Sequence, residues 1–219
     1  MQKENNSEGE IMVMLSILQI RVSTVFMLDI NVPDLLNRLR KIGYVTAPIR
    51  QTLEGVTISF VDPFNMIAVK GTVRVDYDFV RRALGIESPN SKELFSALEE
   101  IWSYLEEMNV NVEKALIPHE LIVVAEASLR PKFMDIKYTF SDLLGFDLRL
   151  TEGAFVREGE EPNSNRWFHL KISPIWSSYR INEKENLYRI TIVYREERLK
   201  LINFIENIES ILKKLLDRI

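Results

Sequence analysis

The chain has 219 residues, 46% hydrophobic and 27% charged, the balance of an ordinary globular protein with room for one domain or two small ones. It has no cysteine, which excludes disulfides, thiolate nucleophiles and cysteine-ligated zinc. The formal net charge is −4; this argues against holding nucleic acid through overall charge and leaves room for a local basic face.

Residues 1–10 (MQKENNSEGE) are polar and read as a disordered tail. Ile11–Leu28 is the most apolar stretch, but Ser16, Gln19, Arg21, Ser23 and Thr24 interrupt it. It falls short of the roughly 20 apolar residues of a membrane span and lacks the basic start and cleavage site of a signal peptide. The expectation is a cytoplasmic protein without a membrane partner. Few Gln beside abundant Ile, Glu, Lys and Arg fits a thermophile.

Residues 12–28 alternate as a long strand. Asn31 and Pro33 open a short helix that Gly43 stops, with Leu35, Leu36 and Leu39 on one stripe. Strands are predicted at Tyr44–Gln51, Val56–Asp62 and Met66–Tyr77, and a short helix near Asp78–Leu84 ending at Gly85. Ser91 is placed as the N-cap of a long helix to Met108, striped by Leu94, Phe95, Leu98, Ile101, Trp102, Leu105 and Met108. The second half gives a strand over Leu121–Arg130, a short helix around Lys137–Leu144 and a strand over Phe146–Thr151. A long loop over 152–166 follows, then strands Trp167–Ser173 and Leu187–Arg195. A final helix runs from about Leu199 to Ile219, with Ile205 and Ile208 on its buried side.

Each half, 11–115 and 116–219, therefore reads strand, helix, strands, long helix. The expected fold is α+β: two pseudo-repeats about 106–120 residues apart, their antiparallel sheets joined and both long helices on one face.

The stretches "TLEGVTISFVDP" (52–63) and "NMIAVKGTVRVDYDFVRRAL" (65–84) sharpen this. Gly55, Asp62, Pro63 and Gly71 match a pattern in which a strand closes on Asp-Pro and a further strand leads through Gly to a helix. The layout resembles the two-fold repeat of the TATA-box-binding protein family. Leu53 and Glu54 stand where that family has Phe-Pro, and the second half keeps only Pro174 after "WFHLKIS". The wedge phenylalanines that prise base steps apart have no clear counterparts, Phe64 alone lying in the right turn. The resemblance implies the fold; it does not imply TATA recognition.

Strand alternation then selects the residues on the helix-free face. Its cations are Arg21, Lys70, Arg74, Arg130, Arg149, Lys171, Arg189 and Arg195, against the acids Glu126 and Asp147, with Trp167 and His169 as its aromatic part. Such a face suits a phosphate backbone or an acidic protein. The same pattern also describes a plainly solvated face whose Lys and Arg stems cover the sheet. Catalysis finds little support. The histidines are His119, read as a turn residue, and His169; there is no GxxxxGK, GxGxxG or GxSxG. No cofactor and no metal are expected. The function read from the chain is a non-enzymatic binding module that uses the helix-free face on nucleic acid or protein. The alternatives are an assembly protein that dimerises through that face and a carrier of a small ligand.

Overall fold

A computed structural model describes residues 14–52, 55–58, 65–115, 117–132, 137–138, 148–162, 164–180 and 186–218. Expectations for the tail, for the Asp62–Phe64 turn and for 139–147 lie outside them.

The first strand, β1 (Leu15–Val25), leads into helix α1 (Val32–Lys41). Asn31 caps α1, its side chain accepting from the Asp34 amide, and Pro33 fits the first turn. The expected strand 44–51 is broken by Ala47-Pro48 into β2 (Val45–Thr46) and β3 (Ile49–Thr52), the latter paired with β4 (Gly55–Ile58). What reads as one strand over 66–77 is a hairpin. β5 (Met66–Lys70) and β6 (Val73–Asp78) are joined by Gly71-Thr72, with Gly71 at φ 58, the left-handed backbone of a tight hairpin turn.

The helix expected near 78–84 is also a hairpin turn. Asp78 Oδ1 accepts from the amides of Val80 and Arg81 at 2.9 and 3.0 Å, an Asx-type turn that competes with helix. The chain returns as β7 (Ala83–Ser88) and carries Gly85 inside the strand.

Helix α2 (Ser91–Glu107) is capped by Asn90, whose side chain accepts from Lys92 and Glu93 amides, one residue before the predicted cap. A 3₁₀ turn (Val112–Lys114) precedes β8 (Ile117–Leu129). Lys137, predicted helical, lies in β9 (Lys137–Tyr138), which pairs with β10 (Leu148–Arg149). The expected long loop holds a further strand, β11 (Gly153–Val156), before β12 (Trp167–Pro174) and β13 (Asn186–Arg195). The last helix is two: α3 (Arg198–Glu206) and α4 (Ile208–Leu216). Asn207 Nδ2 donates to the Asn203 carbonyl at 2.9 Å, and such a side chain competing for backbone acceptors interrupts a helix.

Among the described residues this is a mixed α+β fold: four α-helices and a nine-stranded antiparallel open sheet in the order β11-β12-β13-β8-β1-β7-β6-β5-β2. β1 and β8 pair at its middle. Alternate strand residues enter one core: Ile20 and Val22, Val73, Val75 and Tyr77, Leu121, Val123 and Ala125, and Tyr188, Ile190 and Ile192. Leu35 and Leu39 of α1, Leu94, Leu98 and Ile101 of α2, Leu201 and Ile205 of α3, and Ile208 and Leu212 of α4 join the same cluster. Side chains one residue out of step point away from it and form the outer face. No helix among the described residues is long and apolar enough to cross a membrane.

Candidate functional site

The pairing registers fix the outer face. One row across the sheet runs Val69, Arg74, Glu87, Arg21, Ile122, Val193, His169, Val156. The next runs Asp76, Gly85, Ser23, Glu120, Arg195, Trp167. Beyond the first lie Gln19, Val124, Thr191 and Lys171, then Glu126, Arg189 and Ser173. The registers thus bring Arg21, Arg74, Trp167, His169, Lys171, Arg189 and Arg195 onto one face.

In the first half the centre is Arg21. Its Nη1 and Nη2 donate to Asp76 Oδ2 and Oδ1 at 2.5 and 2.8 Å, and Nη1 lies 3.4 Å from Glu87. The paired guanidinium is a stronger base than usual, chiefly through the Asp76 hydrogen bond. Gln19 donates to Glu87 at 2.5 Å, and Arg74 approaches it at 4.0 Å. Gly85 makes this possible, because a Cβ there would overlap the Arg21 guanidinium and lie 2.6 Å from Asp76 Oδ2. Beside this network, Leu18, Gln19, Val69, Thr72, Arg74 and Pro89 rim a hollow of 420 Å³.

In the second half the middle is apolar, with Ile122, Val124 and Val193 half-buried, and ion pairs stand around it. Arg189 meets Glu126 at 2.9 Å, Arg195 meets Glu120 at 2.6 Å, and Lys171 meets Glu152 at 3.6 Å. Trp167 and His169 stack with ring centroids 6.2 Å apart and planes 12° apart.

Three predicted positions differ. Lys70 faces the helices, because the two-residue turn pairs it with buried Val73. Its ammonium lies 3.5 Å from Glu100 of α2 and 5.1 Å from the Tyr44 ring centre. Val69, expected in the core, takes the outer side opposite Arg74. Arg149 belongs to the separate β9–β10 pair, and its side chain, like all of Asp147, lies outside the described residues. Arg130 stands exposed just past the end of β8.

The sequence reading missed the acids Asp76, Glu87, Glu120 and Glu152. A helix assigned to 78–84 leaves Glu87 in a loop; as a strand, Ala83, Gly85 and Glu87 alternate outward. Glu120 becomes visible only when β8 starts at Ile117. That earlier start also corrects His119, which is a buried strand residue and not a turn. Its Nδ1 lies 3.2 Å from Thr24 Oγ1 and its ring 5.0 Å from Trp102. Burial, helped by Arg198, lowers its pKa to about 4.

The loop after β11 is clasped at Glu196, a buried carboxylate 3.2 Å from Arg166, 3.4 Å from Arg157 and 3.5 Å from Lys200. Burial raises its pKa, but the Glu197 amide and these cations outweigh that and hold it below the ordinary value. A groove of 760 Å³ between the start of α2 and the α3–α4 break is lined by exposed Lys92, Glu206, Glu209 and Lys213, with Phe95 as its apolar wall. Among the described residues no three His, Asp or Glu side chains converge as metal ligands. No protein-family model matches the chain, and no curated protein matches it at a significant level.

Proposed function

We propose that the protein is a non-enzymatic binding module whose outer sheet face engages a protein surface. One observation carries the reading. Five of the cations expected to draw a polyanion, Arg21, Arg74, Lys171, Arg189 and Arg195, each have a carboxylate within 4.0 Å on or beside the same face. A phosphate backbone is held by cations that release counterions on binding; cations neutralised in place offer little of that. What remains between the pairs is an apolar strip bounded by polar groups, the composition of a protein interface with a polar rim.

The strand order bears on the two-repeat layout as well. β1 neighbours β7 and β8 neighbours β13, each outer strand being the last before its long helix, and β1–β8 joins the halves. This order supports two pseudo-repeats split near residue 116 and is compatible with a TATA-binding-protein-like layout. A small-ligand carrier finds less support, since the 760 Å³ groove opens among exposed helix ends and not between helices and sheet.

The test is a titration of labelled duplex and single-stranded DNA and RNA at low and at moderate salt. The reading expects no saturable binding even at low salt. A saturable isotherm that weakens with salt, and whose slope falls by about one to two counterion units in the Lys171→Ala, Arg189→Ala variant, would restore the nucleic-acid reading.

A further inference from the structure

We infer that the protein partner presents an extended peptide segment, which adds as a strand to the uncovered end of β1 and lays its side chains into the hollow beside Arg74. The inference rests on the reading that the outer face binds protein, and adds where and in what form the partner is held.

The strand lengths leave a place for it. β1 begins at Leu15, but β7 pairs with it only along Ile20–Val25, the last pair being Ile20 with Ser88. The chain then leaves the sheet through Pro89, and Asn90 caps α2. On its other side β1 is followed by β8 as far as Leu15. The stretch Leu15–Gln19, about 17 Å of strand, therefore has β8 on one side and, among the described residues, no strand on the other.

Pairing with β8 fixes where its backbone groups point. The Ser128 amide donates to the Met14 carbonyl at 3.2 Å. Alternation then turns Ser16 towards β8, opposite Glu126, and turns the N–H and C=O groups of Leu15 and Ile17 to the open side. Donors and acceptors spaced two residues apart match the main chain of an added strand. The outermost strands of the sheet are short by comparison, β2 with two residues and β11 with four. Proteins also guard open edges with Lys, Pro or other charge, and the sequence LSILQ has none of these.

The hollow seats the segment's side chains. The register passes from Ile17 opposite Ala125 to Gln19 opposite Val124, so Leu18 is the extra residue of a bulge. A bulge re-aims a side chain, and Leu18, 44% exposed, lines the 420 Å³ hollow with Val69 and Pro89. Arg74 stands on the rim. Its side chain is 65% exposed and lies 4.0 Å from Glu87, a carboxylate that Gln19 and Arg21 approach more closely, at 2.5 and 3.4 Å. Arg74 is thus the most loosely held of the five paired cations. One loose cation beside an apolar hollow suits a segment that alternates apolar and polar residues and carries one carboxylate.

The test uses the full chain and an array of acetylated, amidated heptapeptides built from Val, Thr, Glu and Lys in varied order. The peptides retained should alternate Val with polar residues and carry a Glu. N-methylation then walks along the best of them. Methylation at alternate amides should weaken binding roughly tenfold, and at the intervening amides should leave it unchanged, the period of a paired strand. Ile17→Pro removes one of the two open N–H groups at a position with no ladder bond; it should weaken binding to the same extent with an unchanged circular-dichroism spectrum. Should that variant misfold, Arg74→Glu, on an exposed side chain, should exchange the preference for Glu for one for Lys. No retained peptide, or binding that N-methylation affects without alternation, overturns the inference. So does a mass that doubles in sedimentation equilibrium and returns to the monomer in Ile17→Pro, which puts a second copy on the edge. Failure of the peptides and of nucleic acid together removes only the added strand; failure of the peptides beside saturable nucleic-acid binding removes the protein-binding reading too.

Discussion

The two faces of the sheet solve opposite problems. The inner face keeps charge out of its centre: Ile20, Val123, Ile190 and Ile192 are fully buried beneath the helices, the imidazole among them, His119, is kept neutral by burial, and Lys70 meets Glu100 only towards the edge of the sheet. The outer face admits charge and pairs it, Arg21 with Asp76, Arg189 with Glu126, Arg195 with Glu120. On the proposed reading, stability and recognition occupy separate sides of one sheet. Substitutions inside should be read in unfolding, and most of those outside in binding.

The strongest response should come from the inner side. Ile208 at the start of α4 is fully buried, and Ile208→Ala should cost about 2–5 kcal/mol in urea unfolding, as should Ile205→Ala. Acid should act next. His119 has its folded pKa lowered to about 4 from 6.5, so its neutral form contributes stability that is present above about pH 6.5 and lost as pH falls towards 4. The whole window is worth about 3 kcal/mol, and His119→Phe should flatten it in pH-dependent denaturation.

The outer face should respond less, and unevenly. Gly85→Ala should cost about 1–2 kcal/mol, because the methyl displaces Arg21 from Asp76 and leaves half-buried charges poorly paired. In an Arg21→Ala background the same change should be nearly neutral; equal costs in both backgrounds would show that Gly85 serves the strand and not the ion pair. Arg189→Ala should be the mildest, no more than about 1 kcal/mol, since its pair with Glu126 is solvent-exposed.

The helices and the inner face were largely legible in the chain, because apolar period alone places Leu94, Leu98, Ile101 and Ile205. The outer face was half legible. Alternation placed Arg21, Lys171, Arg189 and Arg195 correctly, each in a strand with unbroken register to a neighbour. It failed at Lys70, where Gly71-Thr72 turns the chain back and exchanges the faces of Val69 and Lys70. The same kind of tight turn at Asp78–Arg82 hid β7 and, with it, Glu87. Cross-strand carboxylates are invisible without register, because Glu120 and Arg195 are 75 residues apart in the chain. A face read one strand at a time therefore looks basic, whereas the assembled face is paired.

The three tryptophans offer a direct test of the proposed outer face, each from a different surrounding. Trp102 is buried in the core, Trp176 is 63% exposed after β12, and Trp167 lies half-buried on the outer face. Hydroxyl-radical footprinting with mass spectrometry across increasing duplex DNA at low salt should leave Trp102 unoxidised, Trp176 fully reactive and the reactivity of Trp167 unchanged. Saturable protection of Trp167 as DNA is added, lost at moderate salt, would contradict an outer face whose cations are already paired.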